Sequence, residues 1–209
     1  MSICKPGCVN GTTKPNVGYA NACGVKTAKG GIPRLLFLVC DETYVHPVDT
    51  GELSPWTSLE NIEAAMCAGI LNFTGPVLAN KPATSFTKKR TSSCSPEVIV
   101  GGSQQIDFQD FNVTTDEDGN PTLEEFDFWG WVQTNYPYLK FGWVSCDEKM
   151  YMYAGSFTPE VSPVQEQTSD DNSYFAGSVI MNTDEIIKPI HVPGLLALLD
   201  SFTADQCYS

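Results

Sequence analysis

The sequence predicts a mainly β protein with short helices, an α+β chain built as an antiparallel β-sandwich or barrel-like domain with a flanking helix and an extended N-terminal arm. Three observations predict it. Apolar residues recur in short, strand-like runs; 17 Gly and 14 Pro punctuate the 209 residues; and helical periodicity is confined to brief stretches. With 42% hydrophobic and 18% charged residues, the composition is that of a globular protein long enough to bury a core.

Residues 1–32 are rich in Gly, Pro, Asn, Thr and Lys with almost no apolar periodicity, and they read as an arm ahead of a single β-rich domain over 33–209. Pro33 opens the run Leu35–Cys40, apolar on both faces and so expected as a fully buried strand. Thr57 and Glu60 have capping-box spacing, and Leu59, Ile62, Met66 and Ile70 follow at helical intervals, with Gly69 as the stop. The polar stretch holding Lys81, Lys88, Lys89 and Arg90 reads as a solvated loop.

From Glu97 the pattern turns to strands. Val98, Ile99 and Val100 run into Gly101-Gly102; Ile106 and Phe108 then share one parity, and Phe111 and Val113 the other. A one-residue bulge near Gln109 and Asp110 would put all four on one side. The segment Asp116–Pro121 is a turn, and Thr122 with Glu125 forms a second capping box for a helix carrying Phe126, Trp129 and Val132 inward and ending before Pro137. Leu139, Phe141 and Trp143 alternate with polar or small residues, and Cys146–Lys149 turns the chain into Met150–Tyr153, completing a hairpin. Residues 155–173, rich in Pro, Ser and Asp, read as a long loop. Strands over Tyr174–Met181 and Glu185–Ile190 follow, and Val192-Pro193-Gly194 leads into a short helix with Leu195, Leu196, Leu198 and Leu199.

The net charge is −13 and unevenly spread: residues 1–90 hold nine basic and six acidic side chains, residues 91–209 three and nineteen. A DNA-gripping protein clusters Lys and Arg against phosphates, so this acidity argues against tight nucleic-acid binding. It also lets a mildly basic half meet the acidic half of a neighbouring copy. The longest apolar runs, Leu35–Cys40 and Leu195–Leu199, are too short to cross a bilayer, and the N-terminus lacks the apolar stretch of a signal peptide, so no membrane partner is expected. A reducing compartment follows, in which most of Cys4, Cys8, Cys23, Cys40, Cys67, Cys94, Cys146 and Cys207 are free thiols behaving as small hydrophobes.

Catalytic machinery is not visible. His46 and His191 each lie within two residues of a Pro and read as structural, and no nucleophile elbow, phosphate loop, dinucleotide fingerprint or zinc-protease helix occurs. Asp116, Asp118 and Asn120 imitate the start of a calcium loop, but Pro121 stands where the sharp-turn Gly belongs. Glu124 and Glu125 are adjacent on a helix, so they point apart, and acidic residues favour a first turn for dipole reasons. The Asn10, Asn72 and Asn112 sequons matter only in a secreted chain. The sequence therefore assigns no catalytic, cofactor-binding or metal-binding residue and reads as a non-enzyme.

Over residues 97–194 the order of strands, acidic Asp-Gly turn, short helix with Phe128-Trp129, aromatic hairpin, Pro/Ser/Asp loop and closing strands resembles tail tube proteins of long-tailed bacteriophages. That resemblance implies a virion protein made in the host cytoplasm. It implies a β-sandwich that self-assembles into stacked rings, usually hexameric, contacts other virion proteins, and lets DNA pass an acidic lumen without specific binding. Two alternatives remain from the residues: a capsid decoration or other virion structural protein, and a carbohydrate-binding or enzymatic module using Trp143, Tyr151 and Tyr153 as an aromatic platform.

Overall fold

The computed structural model describes residues 31–39, 56–80, 82–90, 97–113, 124–164, 173–183, 185–203 and 207. All but the last two residues of the expected arm, the Asp116–Pro121 turn and Thr122 of the second capping box lie outside them. The protein is mainly antiparallel β, in two five-stranded sheets. One sheet has the order β10-β7-β6-β1-β2, built from β1 (Arg34–Val39), β2 (Leu71–Phe73), β6 (Leu139–Val144), β7 (Lys149–Tyr153) and β10 (Pro189–His191). The other has the order β3-β5-β9-β8, from β3 (Val77–Ala79), β5 (Val98–Asp110), β8 (Phe157–Val164) and β9 (Tyr174–Met181), with β4 (Ala83–Lys89) also paired to β5. Three helices accompany them: α1 (Leu59–Cys67), α2 (Glu124–Asn135) and α3 (Leu195–Ser201).

The doubly apolar run becomes the middle of the structure. In β1 side chains alternate between faces, and both faces are buried. Leu35 and Phe37 enter the core between the sheets with Ile106, Phe108, Phe141 and Val179. Leu36 and Leu38 enter a second core with Ile62, Met66, Met150, Met152, Leu195 and Leu199, where α1 and α3 cover the outer face of the first sheet. Phe37 touches Phe128, Trp129, Phe141 and Phe157, with ring centroids 5.7–6.0 Å apart. Neighbouring strands must come close, and glycine permits it at two places: a Cβ on Gly142 would lie 2.6 Å from the Tyr151 carbonyl oxygen, and one on Gly177 2.5 Å from that of Glu160.

Polar contacts fix the layers. Buried Arg34 donates from Nη1 to the Thr74 carbonyl at 2.9 Å and pairs through Nη2 with Asp200 of α3 at 2.5 Å, while Thr74 Oγ1 accepts from the Leu35 amide at 3.0 Å. At the other end of the sandwich, Trp129 Nε1 of α2 donates to Asp110 Oδ2 at 3.0 Å, and Phe108 stacks on the Trp129 ring at 4.9 Å. An indole buried in a core needs such an acceptor.

Several expectations are corrected. The Thr57–Glu60 capping box does not form: Ser58 is the N-cap of α1, without a side-chain cap bond. Gly69 does end the turn, at φ +70°. The supposed loop around Lys88 and Lys89 is strand β4, because backbone pairing to β5 requires no apolar face. The bulge falls between Thr87 and Lys88, opposite Val100, and β5 pairs with β9 regularly through Gln109 and Asp110, so Phe111 stays exposed while Val113 packs inward. Phe126 is half-exposed rather than inward. Residues 157–164 of the expected 155–173 loop form β8, with Pro159 and Pro163 on an edge where they are tolerated. The last strand is only Pro189–His191.

The free-thiol expectation fails for one pair: Cys67, at the end of α1, and Cys207 are bonded, with Cα atoms 5.1 Å apart. Their separation of 140 residues hides the pairing from any spacing rule. Cys146 is a free thiol, and the other five cysteines lie outside the described residues. Closing so long a loop restricts the unfolded chain, so reduction or Cys207→Ser is expected to lower the unfolding free energy by about 2–4 kcal/mol. Urea titration with and without reductant measures this, and coincident midpoints would mean that the bond does not stabilise the folded protein.

Candidate functional site

The residues singled out for chemistry do not converge. His191 is exposed on β10, whereas His46 and the Asp116–Asn120 cluster lie outside the described residues. Glu124 and Glu125 occupy the first turn of α2. Among the described residues no group of three His, Cys, Asp or Glu side chains is placed to hold a metal ion. The aromatic platform is not an open one: Trp143 and Tyr153 are buried, and Tyr151 is half-buried, stacked on Trp143 with ring planes 4° apart. Alternation along β6 and β7 placed these rings on the core side.

Two other regions stand out, and the first is the pair of edges of the second sheet. Strand β8 is a closed edge. The Glu160 carbonyl faces β9, against Gly177, so Pro159, Val161 and Pro163 share the outward parity. The two prolines offer no N–H there, and Gln133 Nε2 of α2 donates to the Val161 carbonyl at 2.7 Å. Strand β4 is the opposite case. Among the described residues, this seven-residue strand pairs with β5 on one side only, and β5 itself pairs with β9 only from Gln104 onward. The Val98–Ser103 stretch and β4 thus form a two-stranded ribbon beyond the sandwich, with Phe86 and Val100 exposed. A two-stranded ribbon is marginal alone in water.

The charges of the two edges are opposite. Lys88, Lys89 and Arg90 are exposed on the ribbon, where Glu97 pairs with Arg90 at 3.2 Å. On the far side, the first turn of α2 carries Glu124, Glu125 and Asp127, and β8 carries Glu160, while neither element has a Lys or Arg. Phe126 packs on Phe175 of β9 at 4.9 Å, which holds this acidic turn against the sheet.

The second region is a cleft of about 250 Å³ where the β6–β7 hairpin of one sheet faces β4 and β5 of the other. Its lining includes Trp143 and Tyr151 of the first sheet, Thr84 and Gln104 of the second, and Ser145 and Asp147 of the hairpin turn. The hairpin is tied by the Ser145 amide to the Lys149 carbonyl at 2.9 Å, with Glu148 in the left-handed region at φ 59°. Asp147 accepts from Lys149 Nζ at 2.6 Å and from Ser145 Oγ at 2.5 Å. Neither the edges nor the cleft was visible in sequence, since β4 and β8 read as loops and the cleft joins residues far apart in the chain.

Comparison with family models, with curated proteins and with solved structures found no match to this chain.

The Lys149 ammonium, and after it the Ser145 hydroxyl, holds the Asp147 carboxyl below its ordinary range. A lowered folded value means that the stabilisation is fully present above the unfolded carboxyl pKa and is lost as pH falls through the folded value. Asp147→Asn is therefore expected to cost on the order of 0.5–1 kcal/mol at neutral pH and progressively less in the acid range. Urea titrations across pH measure it, and an equal loss at every pH would show that ionisation is not the cause.

Proposed function

We propose that the protein is a self-assembling structural subunit of a phage virion, building stacked rings as a tail tube protein does, around a channel through which DNA passes without being gripped. One observation carries this reading: a basic ribbon extends from the β4 side of the second sheet, whereas an acidic helix turn packs on β9 and Glu160 lies on β8, toward its other edge. Two different surfaces that attract each other make a head-to-tail contact, and such contacts generate rings where the rotation closes and filaments where it does not. A ribbon pairing with its own copy in parallel register would bring Lys88 and Lys89 of two subunits together, which like-charge repulsion opposes. The mainly antiparallel fold with a flanking helix agrees with what the resemblance implies. The strongly acidic second half of the chain suits a surface that repels phosphate.

The partner at the ribbon is thus a second copy of this chain, with its α2 turn and Glu160 against Lys88 and Lys89. Charge reversal by K88E with K89E is expected to weaken self-association about tenfold or more, as is reversal by E124K with D127K. Combining the two pairs should restore association, as read by sedimentation velocity and negative-stain imaging of rings or filaments. A strict monomer at high concentration and low salt would refute the tube reading; assembly indifferent to all four substitutions would refute the head-to-tail contact. Gel shifts at physiological salt are expected to show no DNA binding, and micromolar or tighter binding would overturn the conduit role.

A further inference from the structure

Two buried polar groups at the cleft have no hydrogen-bond partner among the described residues. Gln104 is 7% exposed; its Nε2 donates to the Glu185 carbonyl at 2.7 Å, but its Oε1 accepts from no described group. Trp143 is 4% exposed, and its indole N–H donates to none, in contrast to Trp129, whose Nε1 meets Asp110. Both residues line the cleft. Buried donors and acceptors are nearly always satisfied, and a cleft lined by one unmet donor and one unmet acceptor is suited to a molecule able both to donate and to accept.

The remaining lining narrows the chemistry. No Lys or Arg lines the cleft, so phosphates and carboxylates find no countercharge. The Asp147 carboxylate is already bonded through both oxygens, to Ser145 and to Lys149. The lining is partly aromatic, with Trp143 and Tyr151 stacked at 5.0 Å. An apolar wall, one donor and one acceptor without net charge favour a neutral ring that carries hydroxyls on its rim and C–H groups on its face. We propose that this cleft is a binding site for a single pyranose unit, with Gln104 Oε1 accepting from one sugar hydroxyl, the Trp143 N–H donating to another, and the half-exposed Tyr151 ring, rather than the covered Trp143 face, taking the C–H face. The site is separate from the charged edges, and its occupancy does not depend on whether the protein assembles.

Saturation-transfer NMR tests this on the intact chain, with D-glucose, D-galactose and N-acetyl-D-glucosamine as probes and D-mannitol as the open-chain control. Transfer to ring C–H protons of at least one pyranose, and little to mannitol, is expected. Gln104→Leu, which is close in size, and Trp143→Phe, which keeps an aromatic ring, each remove one polar group and should weaken the binding about fivefold. Thr84→Trp, at an exposed position lining the cleft, should block it without touching the core, while Tyr138→Ser, which does not line the cleft and is 73% exposed, should leave it unchanged. No transfer to any of the three pyranoses overturns the proposal, as does transfer that survives Thr84→Trp.

Discussion

The architecture depends on β1 having no solvent face. A strand of six residues, RLLFLV, sends alternate side chains into two different cores, so its position is fixed from both sides at once. Burying Leu35, Leu36, Phe37 and Leu38 each contributes roughly 1.5–3 kcal/mol relative to exposure, and a register slip of one residue would move Phe37 out of its ring cluster. Sheet partners β2 and β6 are registered on it directly, from Leu36↔Phe73 to Arg34↔Val144. Through Arg34 it also holds α3. The two helices on the outer face and the second sheet on the inner face are therefore positioned by the same short segment.

The second sheet is built on a different principle. Only its inner face is buried, its outer face is largely polar, and its two edges are treated in opposite ways. Proline and a glutamine cap close β8, whereas no second strand among the described residues pairs with β4, which carries cationic side chains at its end. Lysine on an open strand discourages indiscriminate pairing while leaving a partner of opposite charge admissible. Edge treatment and charge polarity together make this sheet the side on which the proposed contact with another copy would be specified.

Much of the fold was legible because its signals were local. The doubly apolar run of β1, the alternation in β6 and β7, the span of β9 and the periodicity of Leu195 and Leu199 each announce an element within a few residues. What was missed rests on partners distant in sequence. Strand β4 has one large apolar residue, Phe86, and exists because β5 supplies its hydrogen bonds; β8 hides behind Pro159 and Pro163, which an edge accommodates. The capping box at Thr57 had the right spacing, but the helix starts one residue later than that box requires. For the candidate sites, the Cys67–Cys207 bond and the meeting of Gln104 with Trp143 are products of topology, and no spacing encodes them. Charge polarity was partly legible: the sequence divides into a basic and an acidic portion, and the fold sets part of each at opposite edges of one sheet.

The long strand β5 belongs to two mechanical regimes. From Gln104 to Asp110 it lies between neighbours and over the aromatic core, so separating it there requires exposing buried rings. From Val98 to Ser103 its only strand partner among the described residues is β4. Opening free energies along one continuous strand should thus fall steeply toward the ribbon. Sequence drift acquires two different meanings along it: near Phe108 a change is felt as lost folding, and near Val100 chiefly by whatever the ribbon touches. That separation leaves the contacting surface open to selection without placing the fold at risk.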